Sequence, residues 1–167
     1  MAPHPSFDDL IDNNRRYAEQ VASQEPFDGI AHAGLAMITC MDSRIEPLQM
    51  LGLKLGDAKI LRTPGGQLTP DAMIGCILGV QMLGVIRIMI VPHTRCAMAG
   101  GDEAIRAQLR ETSGLDLGEL AFGAVTDQHA KLRRDVGLLR AEPLVAGLAE
   151  VAGFFYDVDT GLLTRVI

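Results

Sequence analysis

Val85-Ile-Arg-Ile-Met-Ile-Val91, closed by Pro92 and followed at once by His93, is the stretch that decides the fold. Only Arg87 interrupts a run of aliphatic residues, most of them β-branched, between Gly84 and Pro92. A run this short and this apolar predicts a buried strand. Upstream, Gly34-Leu-Ala-Met-Ile-Thr39 is a second such run, and it stops at Cys40. Ala58-Lys-Ile-Leu-Arg62 reads as a third, ended by Thr63-Pro-Gly-Gly66.

Helical patterns fill the gaps. Glu46 to Leu51 predicts a short helix. Thr69-Pro70-Asp71 is a helix start, with a hydroxyl cap, proline in the first turn and then an acid. That helix runs to about Leu83 and stops at Gly84. Further helices are expected over 101–112 and 127–140, with a short one from Pro143 to Glu150. Gly153-Phe-Phe-Tyr-Asp-Val158 and Leu162-Leu-Thr-Arg-Val166 flank Asp159-Thr-Gly161 and predict a terminal hairpin. At the other end, residues 6–24 predict a helix capped by Ser6 and ended by Pro26 and Gly29. Its apolar stripe (Phe7, Leu10, Ile11, Tyr17, Val21) is partial, so residues 1–30 are expected to form a helical arm that lies outside or wraps a partner subunit.

Strands alternating with helices imply one α/β domain over 1–167, with a largely parallel sheet. Ligands of such sheets bind beyond the carboxyl ends of the strands, where strand order switches. Cys40 and His93 each follow a predicted strand, so neighbouring strands would bring them together.

The bulk numbers exclude several functions. The chain has 167 residues, 48% of them hydrophobic, and a formal net charge of −6. Arg133-Arg134 is the longest basic feature, so nucleic-acid binding is not expected. MAPHPSFDDL shows no secretory pattern, and no run approaches the ~20 apolar residues of a membrane span. A soluble cytoplasmic protein is the expectation. Three cysteines in a reducing compartment are poor staples, and there is no Cys-x-x-Cys redox pair. Attention moves to metal binding.

Two clusters carry that chemistry: Cys40-Met-Asp-Ser-Arg44 and His93-Thr-Arg-Cys96. Two thiolates and an imidazole suit zinc, and three protein ligands leave a fourth position open, as catalytic zinc requires. Alternation in an extended loop would turn Cys40, Asp42 and Arg44 to one side. A carboxylate beside zinc either becomes the fourth ligand and closes the site, or is held away by a cation. Arg44 offers the planar fork for the second. Water could then take the open position, where zinc lowers its pKa toward ~7.

These paired motifs resemble those of the β-class carbonic anhydrases, and most closely the short, archaeal-like branch. The likeness runs from about residue 34 to the end. It includes Gly56-Asp-Ala-Lys59, the turn Arg62 to Gly66, and Tyr156-Asp-Val-Asp-Thr-Gly161. The resemblance implies a three-layer fold with four parallel strands, a C-terminal antiparallel strand and flanking helices. It implies a homodimer or higher homo-oligomer. The implied reaction is reversible hydration of carbon dioxide to bicarbonate and a proton through a zinc-bound hydroxide. Carried over by position, Cys40, His93 and Cys96 would hold Zn2+, and Asp42 and Arg44 would gate it. Asp42 would be the fourth ligand of a closed state.

The chain departs from the family pattern beside the cleft. Thr63-Pro64 replaces Asn-Ala, Ala97 replaces glycine, and Arg95 stands where short members carry aspartate. Two alternatives follow: a zinc protein of this family with little hydratase activity, or a hydrolase of carbon disulfide or carbonyl sulfide. Gly65-Gly66 lacks the pattern of a phosphate loop and is expected to turn the chain tightly near the metal and substrate. Arg62 would position that loop, contact an anion or cap the strand. Cys76, Met73, Met82 and Met89 are expected in the core, and His4, His32 and His129 outside it.

Overall fold

The computed structural model describes residues 6–22 and 28–167. Five strands form one sheet: β1 (Leu35–Cys40), β2 (Ala58–Thr63), β3 (Arg87–Val91), β4 (Glu150–Tyr156) and β5 (Leu163–Arg165). Their order across the sheet is β2-β1-β3-β4-β5. The first four are parallel, and β5 runs antiparallel to β4. The expected architecture of four parallel strands plus an antiparallel one is therefore present. The order reverses at β1, whose neighbours are β2 on one side and β3 on the other.

Five helices accompany the sheet: α1 (Asp8–Val21), α2 (Pro47–Met50), α3 (Pro70–Met82), α4 (Gly101–Ser113) and α5 (Gln128–Ala141). The twofold alternation of the strands divides the core. On one face Ala36, Ile38, Ile88 and Ile90 pack against α3 through Ala72 and Cys76, and against α5 through Leu132 and Val136. On the other, Met37 and Val91 pack with Ile45, Tyr156 and the two site cysteines. Each fully buried aliphatic side chain stabilises the fold by about 1.5–3 kcal/mol. The strand ends that carry the site therefore rest on a packed core.

Thr69 caps α3 by accepting from the Ala72 N–H, with Pro70 at the first position and Asp71 in the first turn. Asp127 caps α5 through Ala130 in the same way. Other expectations need correction. The first helix begins at Asp8 with Phe7 in the cap position; Ser6 Oγ accepts only the Asp8 N–H. It ends at Val21, before Pro26, which lies outside the described residues together with His4. No residue of α1 is buried. Residues 143–149 form successive turns instead of a helix, and Gly147 sits at φ 72°, outside the right-handed helical region.

Met82 is 68% exposed rather than in the core. The buried stripe of α3 runs through Ala72, Cys76 and Gly79, and Met82 falls on another side of the helix. Cys76 is fully buried as expected, and burial pushes its thiol up to about 12. His129 is exposed, with its ring stacked 4.6 Å from that of Phe155. No helix among the described residues is long and apolar enough to cross a membrane.

Candidate metal centre

Cys40 is the last residue of β1, and His93 follows β3 after Pro92. The two strands are direct neighbours, and Thr39 Oγ1 donates to the Val91 carbonyl at 3.1 Å where they end. His93 makes one further bridge to Tyr156, the last residue of β4, which fixes the start of the His-x-x-Cys loop. Cys96 lies at the close of that loop. All three residues are buried, and their ligand atoms lie within 4.8 Å of one another. The Cys40 and Cys96 sulfurs are 3.9 Å apart. Two sulfurs on a tetrahedral zinc at ~2.3 Å would sit ~3.8 Å apart, so the spacing fits one zinc ion.

The histidine is prepared for the same role. Its Nδ1 is 2.8 Å from the Thr94 carbonyl. A carbonyl can only accept, so Nδ1 carries the proton and a neutral ring leaves Nε2 with a free lone pair. That Nε2 is buried and has no hydrogen-bond partner among the described residues. A buried acceptor left alone is costly, and a metal ion would satisfy it. Contact with the Cys96 sulfur, the adjacent His93 ring and the N–H groups of Asp42 and Gly65 together outweigh burial and lower the Cys40 thiol. The same contact, with burial, pushes Cys96 up. Zinc takes cysteines as thiolates, so binding here would release protons.

Asp42 and Arg44 meet as the motif implies, but by a different local route. Residues 42–45 form a turn, with the Ile45 N–H donating to the Asp42 carbonyl at 3.2 Å. Asp42 Oδ1 accepts from the Arg44 backbone N–H and from Arg44 Nε, both at 2.9 Å, while Oδ2 accepts from Nη2 at 2.7 Å. Aspartate readily accepts from the backbone two residues on, and this bend replaces the extended alternation. Bonds from Arg44 hold the Asp42 carboxyl well below the usual carboxylate range. Oδ2 is also 3.8 Å from His93 Nε2, so the carboxylate stands at the edge of the ligand cluster.

The Gly65-Gly66 turn packs on this centre. A Cβ at Gly66 would lie 2.8 Å from the Val91 carbonyl oxygen and 3.1 Å from the Cys40 nitrogen, and the residue adopts φ +63°. Only glycine fits both requirements. Thr63 Oγ1 closes the turn by donating to the Gln67 carbonyl at 2.8 Å. Arg62 bonds a different segment from the glycine turn it is expected to position: its guanidinium donates to the Ile45 carbonyl, at the end of the Asp42–Ile45 turn. His32 is exposed and bonds Asp28 at 3.1 Å, away from the centre.

Three supports were not legible from motifs. Thr94 supplies the carbonyl for His93 and accepts the Val158 N–H on its hydroxyl at 3.1 Å. Gln128 Nε2 donates to the His93 carbonyl at 3.2 Å. Buried Asp135 accepts the Leu68 N–H at 2.9 Å and pairs with Lys131, which anchors the chain just after the glycine turn. Nothing in the spacing of the Thr94 hydroxyl, Gln128 or Asp135 marks them, because each reaches the backbone of a distant segment. The centre opens into a cleft of about 460 Å³ whose lining includes Cys40, Asp42, Arg44, Pro64, Ala97 and Met98.

Comparison with known proteins gives this geometry a family. Residues 35–115 match the family model described as carbonic anhydrase. The chain is 30% identical over 163 residues to Beta-carbonic anhydrase 1 of Mycobacterium bovis, covering 95% of this chain and 96% of that protein. A carbonic anhydrase crystal structure from Streptococcus mutans superposes with a TM-score of 0.85 at 32% identity, covering 99% of this chain and 100% of that one. A carbon disulfide hydrolase of Acidithiobacillus thiooxidans is 28% identical over 149 residues, covering 77% and 75% of the two chains. A Cys-His-Cys cluster at the ends of two parallel strands, in a chain matched along nearly its whole length, places this protein in the β-carbonic anhydrase family.

Proposed function

We propose that this protein catalyses the reversible hydration of carbon dioxide to bicarbonate and a proton, with Cys40, His93 and Cys96 holding a zinc ion. The observation that carries this reading is the unpartnered His93 Nε2, buried beside two sulfurs 3.9 Å apart. Zinc would supply Lewis acidity, bringing water at an open fourth position to a pKa of about 7. Asp42 Oδ2, kept ionised by Arg44, accepts a hydrogen bond from the attacking water and orients it. Arg44 holds Asp42 off the ligand cluster; without that hold the carboxylate would be free to join Cys40, His93 and Cys96 as a fourth ligand of the metal. Gly65 and Gly66 border the substrate position.

Stopped-flow hydration with a pH indicator, alongside zinc analysis, tests the assignment. Cys40→Ser should lose zinc and fall to the uncatalysed rate. Activity equal in the two proteins would remove the proposal. The apolar rim of Pro64, Ala97 and Met98, with the likeness to carbon disulfide hydrolases, favours one second reading: hydrolysis of carbon disulfide at the same centre. Sulfide release from carbon disulfide, faster than carbon dioxide hydration, would select it.

Two further parts of the reading concern context. The exposed Phe7, at the cap of α1, and Leu10, Ile11 and Tyr17 within it form the apolar stripe of an arm that packs on a second copy of the chain in a homodimer. Three free cysteines, two of them ligands, suit the reducing cytoplasm.

A further inference from the structure

Arg95 lies inside the His-x-x-Cys loop but ligates nothing, and among the described residues it is the one non-glycine with positive φ, at 54°. Such a backbone is disfavoured for a side chain of this size and persists only where its surroundings enforce it. The left-handed turn does two things. It aims the Arg95 carbonyl at Arg44 Nη2, 3.2 Å away, the same nitrogen that donates to Asp42 Oδ2. It also sends the Arg95 side chain outward, where Nη2 meets Asp159 Oδ1 at 2.5 Å.

Asp159 is held in place independently of Arg95. Its N–H donates to Asp157 Oδ1 at 2.8 Å, and the preceding Val158 N–H donates to Thr94 Oγ1 at 3.1 Å. The β4–β5 turn therefore fixes a second carboxylate whose charge also reaches Arg44. Arg44 bonds Asp42 and the Arg95 carbonyl, while Asp159, paired with Arg95, is a second negative charge near its guanidinium. The Arg95–Asp159 pair is more than half exposed at both ends, and such pairs add little to stability.

We infer that Arg95 is a positioning residue: its carbonyl tethers the Arg44 guanidinium, and its side chain occupies Asp159, so that Arg44 stays on Asp42 and the centre stays open. The inference rests on the gating role assigned to Asp42 and Arg44. It does not require that carbon dioxide be the substrate.

The test compares Arg95→Gly, Arg95→Lys, Asp159→Asn and the Arg95→Gly/Asp159→Asn double variant. Glycine keeps the positive φ, so the side chain is removed without adding strain. Zinc affinity is read by chelator competition, and hydration by kcat and KM. Arg95→Gly should hold zinc about three- to fivefold tighter, because Asp42 is freed to ligate, and should lower kcat by a similar factor with little change in KM. Asp159→Asn alone should match the wild type in both readouts. Arg95→Lys and the double variant should return both toward wild type. If Asp159→Asn is as damaging as Arg95→Gly, the pair is only a brace and the inference fails. It fails equally if the double variant behaves like Arg95→Gly. A wild type without hydratase activity would overturn the proposed reaction, while the zinc-affinity series would still decide the role of Arg95.

Discussion

Replacing Gly66 by alanine should damage the fold and the metal centre together, and the structure separates the two costs. The first is backbone strain: φ is +63° at Gly66, and a non-glycine residue there costs roughly 1–2 kcal/mol. The second is steric. The new methyl would meet the Val91 carbonyl at 2.8 Å, the Cys40 nitrogen at 3.1 Å and Pro92 Cα at 3.2 Å, all backbone atoms of the two strands that carry the ligands. These cannot swing aside as a side-chain tip would, and overpacking of this kind costs about 1–3 kcal/mol. Together, Gly66→Ala should lower stability by about 2–5 kcal/mol. Gly147 supplies the control. Its φ is +72°, yet nothing lies within 4 Å of an added Cβ, so Gly147→Ala bears the strain alone, about 1–2 kcal/mol. Urea unfolding of both metal-free variants at one protein concentration measures the difference. Zinc affinity should fall in Gly66→Ala and hold in Gly147→Ala. Equal destabilisation by the two substitutions would refute the claim that close backbone approach fixes the ligand geometry.

Two other outcomes follow from the site and the core. Arg44→Ala removes both guanidinium bonds to Asp42 and should cut hydration about tenfold or more, since charge-assisted bonds are at stake; a fully active variant would contradict the gating role. Arg44→Lys should fall between, because lysine keeps the charge but not the fork. Cys76 makes a pH prediction. Its folded thiol is raised from 9.0 to about 12, so the unfolded chain loses this proton first. Stability is intact below pH 9 and declines as pH rises toward 12. Denaturation curves of wild type and Cys76→Ala across that window should converge as pH rises; parallel curves would show that the thiol is not held protonated by burial.

The sequence by itself determined the strands, the start of α3 and the three candidate ligands. Val85–Val91 and Gly34–Thr39 are short apolar runs bounded by turn residues or a strand-ending cysteine, which read as buried strands, and Thr69-Pro70-Asp71 satisfies a helix start by local chemistry alone. Cys40, His93 and Cys96 stood out because soft and imidazole donors at strand ends have little other use. Tertiary structure decided that β1 and β3 are neighbours, since strand order depends on which faces α3 and α5 bury together. It also decided the turn at Asp42, the positive φ of Arg95 and the bonds from Gln128 and Asp135. A side chain that reaches the backbone of a remote segment leaves no periodicity behind, so only the packed chain reveals it.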